Sequence, residues 1–314
     1  MVVAQDLVRS AAAYVGRFAP SPTGPLHFGS LIAAIASYAD ARAVGGRWLL
    51  RIEDVDTPRC TKRAEVEILR QLAVYGFEAD GAVVRQSARA ERYDFALKQL
   101  SDAGQIFACT CTRKMLGLAT RNACGEIVYP GRCRELALVE SVPAAALRLR
   151  VLVDPNARIA FTDRALGART QRVDTDVGDF ILRRSDGLYA YQLAVVVDDA
   201  AQGVTDVVRG EDLLMNTPRQ IYLQRRLGYA TPRYLHVPLA RDDAGEKLSK
   251  QTRATAIASD SAVPTLQAAW ACLNQRDVCR VASVAQFWKQ AILFWNPALM
   301  WPPQRGATAP DNTL

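Results

Sequence analysis

The sequence of 314 residues lacks the marks of a membrane protein or a secreted protein. No apolar run approaches the ~20 residues that a membrane-spanning helix needs, and the N-terminus shows no signal-peptide pattern. The seven cysteines are an odd number, which together with the missing signal argues against a disulfide framework. We therefore expect a cytoplasmic protein without a membrane partner, and the sequence implies no protein partner.

Histidine is scarce, and neither of the two histidines lies near the densest group of cysteines. Cys109 and Cys111 form a C-x-C pair, and Cys133 follows 22 residues after Cys111, with Cys124 between them. The surrounding segment is rich in glycine, proline and asparagine and is expected to be loop-like. Thiolates this dense outside a helix indicate a tetrahedral zinc site built from sulfur, with oxygen as the other available donor. Incidental free thiols are the alternative.

Acidic residues are fewer than basic ones: the sequence has 32 aspartates and glutamates and 39 lysines and arginines, so the net charge is +7. A basic chain suits a polyanionic partner such as a nucleic acid, although an arginine-rich composition also follows from a GC-rich genome. At this length the chain can bury a large core, either as one domain with an insertion or as two domains.

The most informative segment is RFAPSPTGPLHFGS, from Arg17 to Ser30. It joins a short apolar run that begins at Tyr14, typical of a β-strand, to an apolar run with helical spacing. The N-terminus of a helix presents free N–H groups and a partial positive charge, so it attracts phosphate. His27 can add a hydrogen bond there, and Gly29 lets a ligand approach the backbone closely. A helix-capping or buried structural role is the alternative for His27.

Strand-like and helix-like segments alternate along the first hundred residues. The expected elements are a helix over 27–45, a strand over 47–52, and helices over 62–75 and 90–103. Such alternation favours a parallel sheet with helices on its faces, in which ligands bind at the carboxyl ends of the strands.

Residues 108–178 break this rhythm and predict an insertion that carries the cysteines and short strands, one of them over 147–153. The alternation resumes with a helix over 191–201, a strand over 204–209 and a helix over 213–227. Two further helices are expected over 263–274 and 284–294, followed by a tail from Pro297 that we expect to be partly disordered.

Five segments, taken in order, resemble motifs of the class I aminoacyl-tRNA synthetases and of their glutamyl branch in particular. They are RFAPSPTGPLHFGS, similar to the HIGH motif and its flank, RIEDVD at 51–56, DFILRRSDG at 179–187, VRGED at 208–212, and KLSKQ at 247–251, similar to the KMSKS loop. The chain departs from the HIGH motif at Ser30 and from KMSKS at Leu248 and Gln251. The cysteine pattern, taken with Tyr129, narrows the resemblance to the glutamyl-queuosine tRNA(Asp) synthetases, short paralogues of glutamyl-tRNA synthetase.

This resemblance implies an α/β fold, namely a class I synthetase-type Rossmann nucleotide-binding fold with an inserted zinc-containing subdomain and a short helical C-terminal region. The expected boundaries are 1–107 for the first half of the catalytic domain, 108–178 for the insertion, 179–253 for the second half with the KMSKS-like loop, and 254–314 for the C-terminal region. Only 63 residues follow Gln251, so we expect no anticodon-binding domain.

The resemblance also implies roles for individual residues. The implied catalytic residues are His27, Lys247 and Lys250. The implied ATP contacts are His27, Gly29 and Lys250, with Mg²⁺ accompanying the phosphates. The implied glutamate-binding residues are Arg17, Ser21, Glu53, Tyr191 and Arg209. The arginines would be the cations for a carboxylate, and Glu53 would accept from the ammonium group.

The metal ligands implied by the resemblance hold one structural Zn²⁺ and are Cys109, Cys111, Tyr129 and Cys133. Tyrosine is an unusual zinc ligand, and on chemistry alone Cys124 is the more obvious fourth donor.

The implied function is that of an ATP-dependent ligase. It would activate L-glutamate with ATP in the absence of tRNA, and then transfer the glutamyl group to queuosine in the anticodon of tRNA(Asp). The alternatives are a truncated glutamyl-tRNA synthetase that charges a tRNA 3′ end, a non-catalytic tRNA-binding paralogue, and a nucleotidyltransferase that makes a small metabolite. The residues by themselves indicate ATP-dependent activation of glutamate and a polyanionic partner. Queuosine and tRNA(Asp) as the acceptor are implied only by the family resemblance.

Overall fold

The computed structural model describes residues 13–122, 125–136, 144–153, 155–239, 256–258 and 260–301. Within these ranges no helix is both long enough and apolar enough to cross a membrane.

The first half of the chain forms three parallel strands with helices between them. The elements are β1 (Val15–Phe18), α1 (Phe28–Ala43), β2 (Arg47–Ile52), α2 (Lys62–Val74), β3 (Val84–Arg85) and α3 (Ala90–Asp102). β1 pairs with β2, and β2 pairs with β3. α1 begins after its cap residue His27 and ends before Gly45, whose φ of +66° is a conformation that glycine adopts without strain. The three helices and the strand that the sequence predicts for this part of the chain are confirmed as α1, α2, α3 and β2.

The middle of the chain contributes an antiparallel sheet and a hairpin. The elements are β4 (Ile106–Cys109), α4 (Arg113–Leu116), β5 (Ala146–Leu149), β6 (Arg158–Asp163), β7 (Gly167–Arg172), α5 (Val173–Asp176) and β8 (Ile181–Arg183). β4, β5 and β8 form the antiparallel sheet. β6 and β7 form the hairpin.

The second half of the chain returns to parallel strands. The elements are α6 (Tyr191–Ala201), β9 (Asp206–Gly210), a 3-10 turn (Glu211–Asn216), α7 (Thr217–Leu227), β10 (Arg233–Val237), α8 (Ala262–Cys272) and α9 (Val284–Phe294). β9 and β10 are parallel, with Arg209 opposite His236. β10 also pairs in parallel with β6, which joins the hairpin to this sheet.

The two halves meet where β1 lies beside β9. The Thr205 N–H donates to the Val15 carbonyl at 2.9 Å. Further along, Arg17 Nη1 donates to the Val208 carbonyl at 3.3 Å, so the two strands run in the same direction. The carboxyl ends of β1, β2, β9 and β10 therefore open on one edge, which is where ligands bind in parallel α/β sheets.

The core is centred on α1, which contacts the strands and also the C-terminal helices α8 and α9. An aromatic cluster of Tyr38, Trp48, Phe77 and Trp288 joins α1 to β2 and α9. The C-terminal helices thus share one hydrophobic core with the strands that carry the open edge.

Two strands differ from their expected bounds. The strand expected over 147–153 covers Ala146–Leu149, because the chain then turns and the Val151 N–H donates to the Asp179 side chain at 2.7 Å. The strand expected over 204–209 covers Asp206–Gly210. The Val204 N–H there still closes the turn after α6 by donating to the Asp199 carbonyl.

The helix expected over 213–227 is also shorter, because its first residues form the 3-10 turn and α7 begins at Thr217. Pro218 lies in the first turn of α7, where its missing N–H leaves no helical hydrogen bond unmade. In the tail expected to be partly disordered, Pro297–Leu299 form a 3-10 turn, and residues 302–314 lie outside the described residues.

Candidate active site

Four of the five residues expected to bind glutamate come together at the open edge of the sheet. Arg17 belongs to β1, Glu53 follows β2, Tyr191 begins α6, and Arg209 lies near the end of β9. Burial raises the pKa of Tyr191. The positive charges of Arg209 and Arg17 oppose that rise, and the negative charge of Glu53 adds to it. The three charged side chains are therefore all within electrostatic reach of Tyr191.

Arg17 is held by a chain of buried ion pairs. Its Nε donates to Asp199 Oδ1 at 3.3 Å, and Arg51 Nη1 lies 2.8 Å from the same oxygen. Arg51 is fully buried, and its Nη2 also lies 3.5 Å from Glu53 Oε1. Burial opposes ionisation of Asp199, but Arg17 and Arg51 lower its pKa. The four charges alternate in sign, and Asp199 is shared between both arginines.

Glu53 is the carboxylate of this group that titrates near neutrality. Burial raises the pKa of Glu53 to about 7, although Arg51 and Arg17 act in the opposite direction. Its N–H donates to the Pro20 carbonyl at 3.0 Å, which places the exposed Ser21 beside the same strand ends. In its ionised form Glu53 can accept hydrogen bonds from an ammonium group.

Arg209 differs from Arg17 because all its hydrogen bonds go to neutral groups. Nη1 donates to Gln220 Oε1 and Nη2 to Thr217 Oγ1, both at 2.7 Å. Nη2 also donates to the Leu213 carbonyl at 3.3 Å, and Nε donates to His236 Nε2 at 3.2 Å. Arg209 is only 5% exposed, yet it forms no ion pair with the acidic residues that the structure describes. A buried cation calls for a compensating anion, so this position suits the carboxylate of a ligand.

His236 connects Arg209 to the buried Asp163. Its Nδ1 lies 2.7 Å from Asp163 Oδ2, and burial lowers the pKa of His236, so the ring is neutral. We infer that Nδ1–H donates to Asp163 while Nε2 accepts from Arg209. Sequence reasoning noted this histidine only as remote from the cysteines. A polar residue within the apolar strand β10 is the signal that could have identified it.

His27 caps α1 at the same edge. Its Nδ1 accepts from the Ser30 N–H at 3.2 Å, which leaves Nε2–H to donate to Ser30 Oγ at 3.0 Å. Ser30 occupies the position of the second histidine of the HIGH motif. Its hydrogen bonds therefore orient His27, which occupies the position of the first. The first turn of α1 contains Gly29 and no acidic residue, so its partial positive charge is available to an anion.

Lys247 and Lys250, expected to act on the phosphates of ATP, lie outside the described residues, as do Leu248 and Gln251. The segment that follows them is anchored at the start of α1. His27 and Ala256 form an antiparallel bridge, and the Ile257 N–H donates to the Leu26 carbonyl at 3.1 Å.

The cysteines expected to bind zinc lie together at the end of β4. The sulfurs of Cys109, Cys111 and Cys133 are all within 4.8 Å of one another, and those of Cys111 and Cys133 are 3.5 Å apart. The Tyr129 hydroxyl lies 3.4 Å from Cys109 Sγ and 3.7 Å from Cys111 Sγ. Cys124, the other candidate donor, lies outside the described residues.

These spacings fit a tetrahedral zinc ion. Zn–S bonds of about 2.3 Å and a Zn–O bond of about 2.0 Å at the tetrahedral angle separate two sulfurs by roughly 3.8 Å and sulfur from oxygen by roughly 3.5 Å. Burial opposes ionisation of Cys133, but hydrogen bonds from Tyr129 and the Thr110 N–H lower its pKa to about 7, and the thiolate is the form that binds metal. The Arg148 guanidinium lies 4.0 Å from the centre of the Tyr129 ring. Burial and the neighbouring Cys109 and Cys133 raise the pKa of the Tyr129 phenol, so a metal ion bound here would have to displace the phenol proton.

Comparison with known proteins places this geometry in a family. Residues 14–266 match the model for the catalytic domain of class I tRNA synthetases (E and Q). A Pseudomonas fluorescens protein named glutamyl-Q tRNA(Asp) synthetase is 50% identical over 293 residues, which cover 93% of this chain and 95% of that protein. A protein of the same name from Thiobacillus denitrificans is 58% identical over 246 residues, which cover 78% of this chain and 80% of that protein.

Solved structures have the same fold. Glutamate-tRNA synthetase from Elizabethkingia anophelis aligns with a TM-score of 0.73 at 24% identity, over 91% of this chain and 66% of the other. A glutamate tRNA ligase from Elizabethkingia meningosepticum, in complex with its amino acid, aligns with a TM-score of 0.73 at 25% identity, over 91% of this chain and 65% of the other. This chain therefore spans slightly less than two thirds of the length of these two solved chains.

Two substitutions of His236 test whether it positions Arg209. His236→Asn retains a donor for Asp163 but removes the acceptor for Arg209 Nε, whereas His236→Gln can place its amide oxygen where Nε2 lies. We expect the KM for L-glutamate in ATP–pyrophosphate exchange to rise roughly tenfold or more in the Asn variant, the effect of losing a hydrogen bond to a charged group. The Gln variant should stay close to wild type, and kcat should change less than KM. Equal KM values in the two variants would contradict this role.

Glutamate binding should weaken as the pH falls below about 7. If Glu53 binds the ammonium group as expected, it accepts from that group only as a carboxylate, and burial raises its pKa to about 7. Affinity should therefore be fully present above this pKa and fall about tenfold per pH unit below it. Calorimetric titration with L-glutamate on both sides of neutrality measures the effect. Glu53→Gln is the control, expected to bind weakly and without this pH dependence, and a wild-type affinity that stays constant across the range would count against the assignment.

Proposed function

The chain belongs to the class I tRNA synthetases of the E and Q type, and we propose that it glutamylates queuosine in tRNA(Asp) with ATP as co-substrate. It is thus an ATP-dependent ligase. One observation in the structure carries the substrate assignment: buried Arg209 has no ion pair among the described residues, and Arg209, Arg17 and Glu53 all act electrostatically on the same residue, Tyr191. L-Glutamate, with two carboxylates and one ammonium group, matches two arginines and one carboxylate.

The first step forms glutamyl adenylate. An oxygen of the glutamate α-carboxylate attacks the α-phosphorus of ATP, an O–P bond forms, and pyrophosphate leaves. His27 and the free N–H groups at the start of α1 stabilise the phosphate charge, and Lys250, assisted by Lys247, neutralises the leaving pyrophosphate. Mg²⁺ bound with ATP would supply further charge neutralisation to the phosphates. The glutamate-binding residues proposed here all belong to this chain, and we propose that this step needs no tRNA.

The second step transfers the glutamyl group. A hydroxyl on the cyclopentene ring of queuosine attacks the carbonyl carbon of the adenylate, an ester bond forms, and the bond to AMP breaks. The hydroxyl proton passes to the departing phosphate. Because the adenylate is already activated, the protein mainly has to hold the two reactants in line.

The alternative functions are less well supported. The relatives at 50% and 58% identity carry the name of a glutamyl-Q tRNA(Asp) synthetase, which favours queuosine over a tRNA 3′ end as the acceptor. Arg17, Glu53, Tyr191 and Arg209 come together at one edge of the sheet, with the capped start of α1 at the same edge, and this arrangement argues against a non-catalytic paralogue.

For the cysteine cluster we propose one structural zinc ion, held by Cys109, Cys111, Tyr129 and Cys133. The donor spacings described above support this set. Four protein ligands leave no open position for water or substrate, so the ion would stabilise the fold and take no part in the chemistry.

Glutamate-dependent ATP–pyrophosphate exchange should occur without tRNA. With labelled L-glutamate and ATP, label should enter tRNA from cells that make queuosine and should not enter tRNA from cells that lack it.

Arg209→Ala, which leaves a carboxylate without its partner, should raise the KM for glutamate. Exchange that requires tRNA would contradict the activation step as proposed. Labelling of both tRNA preparations would support charging of the 3′ end instead.

Metal analysis of the purified protein should find one zinc ion per chain. Cys124→Ser should retain the metal, whereas Tyr129→Phe should lose it or bind it more weakly, because the phenol oxygen completes the site. Cys279→Ser removes an exposed cysteine and is the matched control. Zinc loss in Cys124→Ser, with no change in Tyr129→Phe, would show that Cys124 is the fourth ligand.

A further inference from the structure

A cavity of about 340 Å³ lies between the middle of the chain and its second half. One wall includes Glu126, Ile127 and Arg148. The other includes Phe180 and Arg219. Pockets of this size accommodate small ligands.

Two arginines in the wall of this cavity have unsatisfied N–H groups. Arg148 is 8% exposed, and its Nε has no hydrogen-bond partner among the described residues. The same is true of Nε of Arg219, whose side chain is 12% exposed. Because buried polar groups are normally paired, the two arginines keep unused donor capacity beside the cavity, which suits a ligand that carries hydrogen-bond acceptors.

The cavity also offers an acceptor and apolar surface. Glu126 forms an ion pair with Arg219 and is 46% exposed, so its carboxylate has lone pairs left for the donors of a ligand. Ile127 and Phe180 provide apolar contacts. Donors, an acceptor and apolar walls together suit a flat heterocyclic ring.

A single pair of glutamines connects this cavity to the glutamate pocket. Gln192 lines the cavity, and its Oε1 accepts from Gln220 Nε2 at 2.9 Å. Gln220 Oε1 in turn accepts from Arg209 Nη1 at 2.7 Å. Gln192 also directly follows Tyr191, so a ligand in the cavity lies next to the site where glutamate is activated.

We propose that this cavity receives the base of the acceptor nucleoside, taken out of the anticodon stack. The proposal rests on the proposed function and adds to it the place where the acceptor binds. A guanine-type edge presents a carbonyl oxygen, which matches the arginine N–H groups, and ring and amino N–H groups, which match Glu126. The base of queuosine has this edge, and its cyclopentene substituent extends from another side of the ring, where it can point toward the glutamate pocket.

Three variants of the Glu126–Arg219 pair test the proposal. Glu126→Gln and Arg219→Gln each remove one base contact and the ion pair. The double variant Glu126→Arg with Arg219→Glu restores an ion pair but exchanges donor and acceptor positions. We expect all three to raise the KM for queuosine-containing tRNA in glutamyl transfer by roughly tenfold or more, with far smaller effects on ATP–pyrophosphate exchange. Arg225→Gln, an exposed arginine on the same helix, should match wild type.

Four results would overturn the proposal. Recovery of glutamyl transfer in the double variant would show that the ion pair only holds the two walls of the cavity together. An unchanged KM for tRNA in the single variants would show that the base binds elsewhere. A parallel loss of exchange would assign the pair to the framework of the glutamate pocket. If wild-type protein activates glutamate but labels no queuosine-containing tRNA, the proposed function itself is wrong, and this inference with it.

Discussion

The open edge of the sheet depends on the two buried carboxylates near the end of α6. Asp199 is shared by Arg17 and Arg51, which ties β1 and β2 to the helix. Asp198 is fully buried and extends the connection to the start of α3, where it accepts from Gln86, Arg89 and Tyr93. Removing one partner of a buried ion pair typically costs about 3–5 kcal/mol, because the other charge is left uncompensated. These side chains therefore stabilise one another as a set, and the positions of Arg17 and Glu53 follow from it.

Within this framework the two arginines differ in their direct partners: Arg17 pairs with Asp199, whereas Arg209 is hydrogen-bonded to neutral groups and interacts with Asp199 only at longer range. The charge of Arg17 is already compensated by Asp199, so Arg17 can orient a ligand without attracting it strongly. The charge of Arg209 meets only neutral acceptors among the described residues, and the neutral His236 fixes the guanidinium without cancelling it. In the proposed pocket, attraction for a carboxylate would be concentrated at Arg209, and Glu53 would supply the negative charge for the ammonium group. This arrangement would suit an amino acid with a second carboxylate, such as L-glutamate.

The cysteine cluster and the cavity share one residue. Tyr129 contacts the cysteine sulfurs through its hydroxyl and also lines the cavity. A metal ion bound there would fix the position of Tyr129, and with it the wall that faces Gln192 and Arg219. A structural zinc remote from the reacting atoms could in this way affect binding of the acceptor, because loops with few apolar contacts are held in place by their metal ligands.

The sequence by itself determined the alternation of strands and helices and the motifs at the strand ends, because apolar periodicity, glycine stops and turn residues act over a few positions. It therefore predicted α1, β2 and α6 well and placed Arg17, Glu53 and Arg209 correctly at the carboxyl ends of strands. It misjudged the start of α7, where a 3-10 turn has much the same local composition as a helix. Only the tertiary structure decided which charges are compensated. Arg17 and Asp199 are 182 residues apart in the chain, and Arg209 and His236 are 27 apart. The energy of a charge depends on its distance in space from other charges and from water, and those distances exist only once the sheet has assembled.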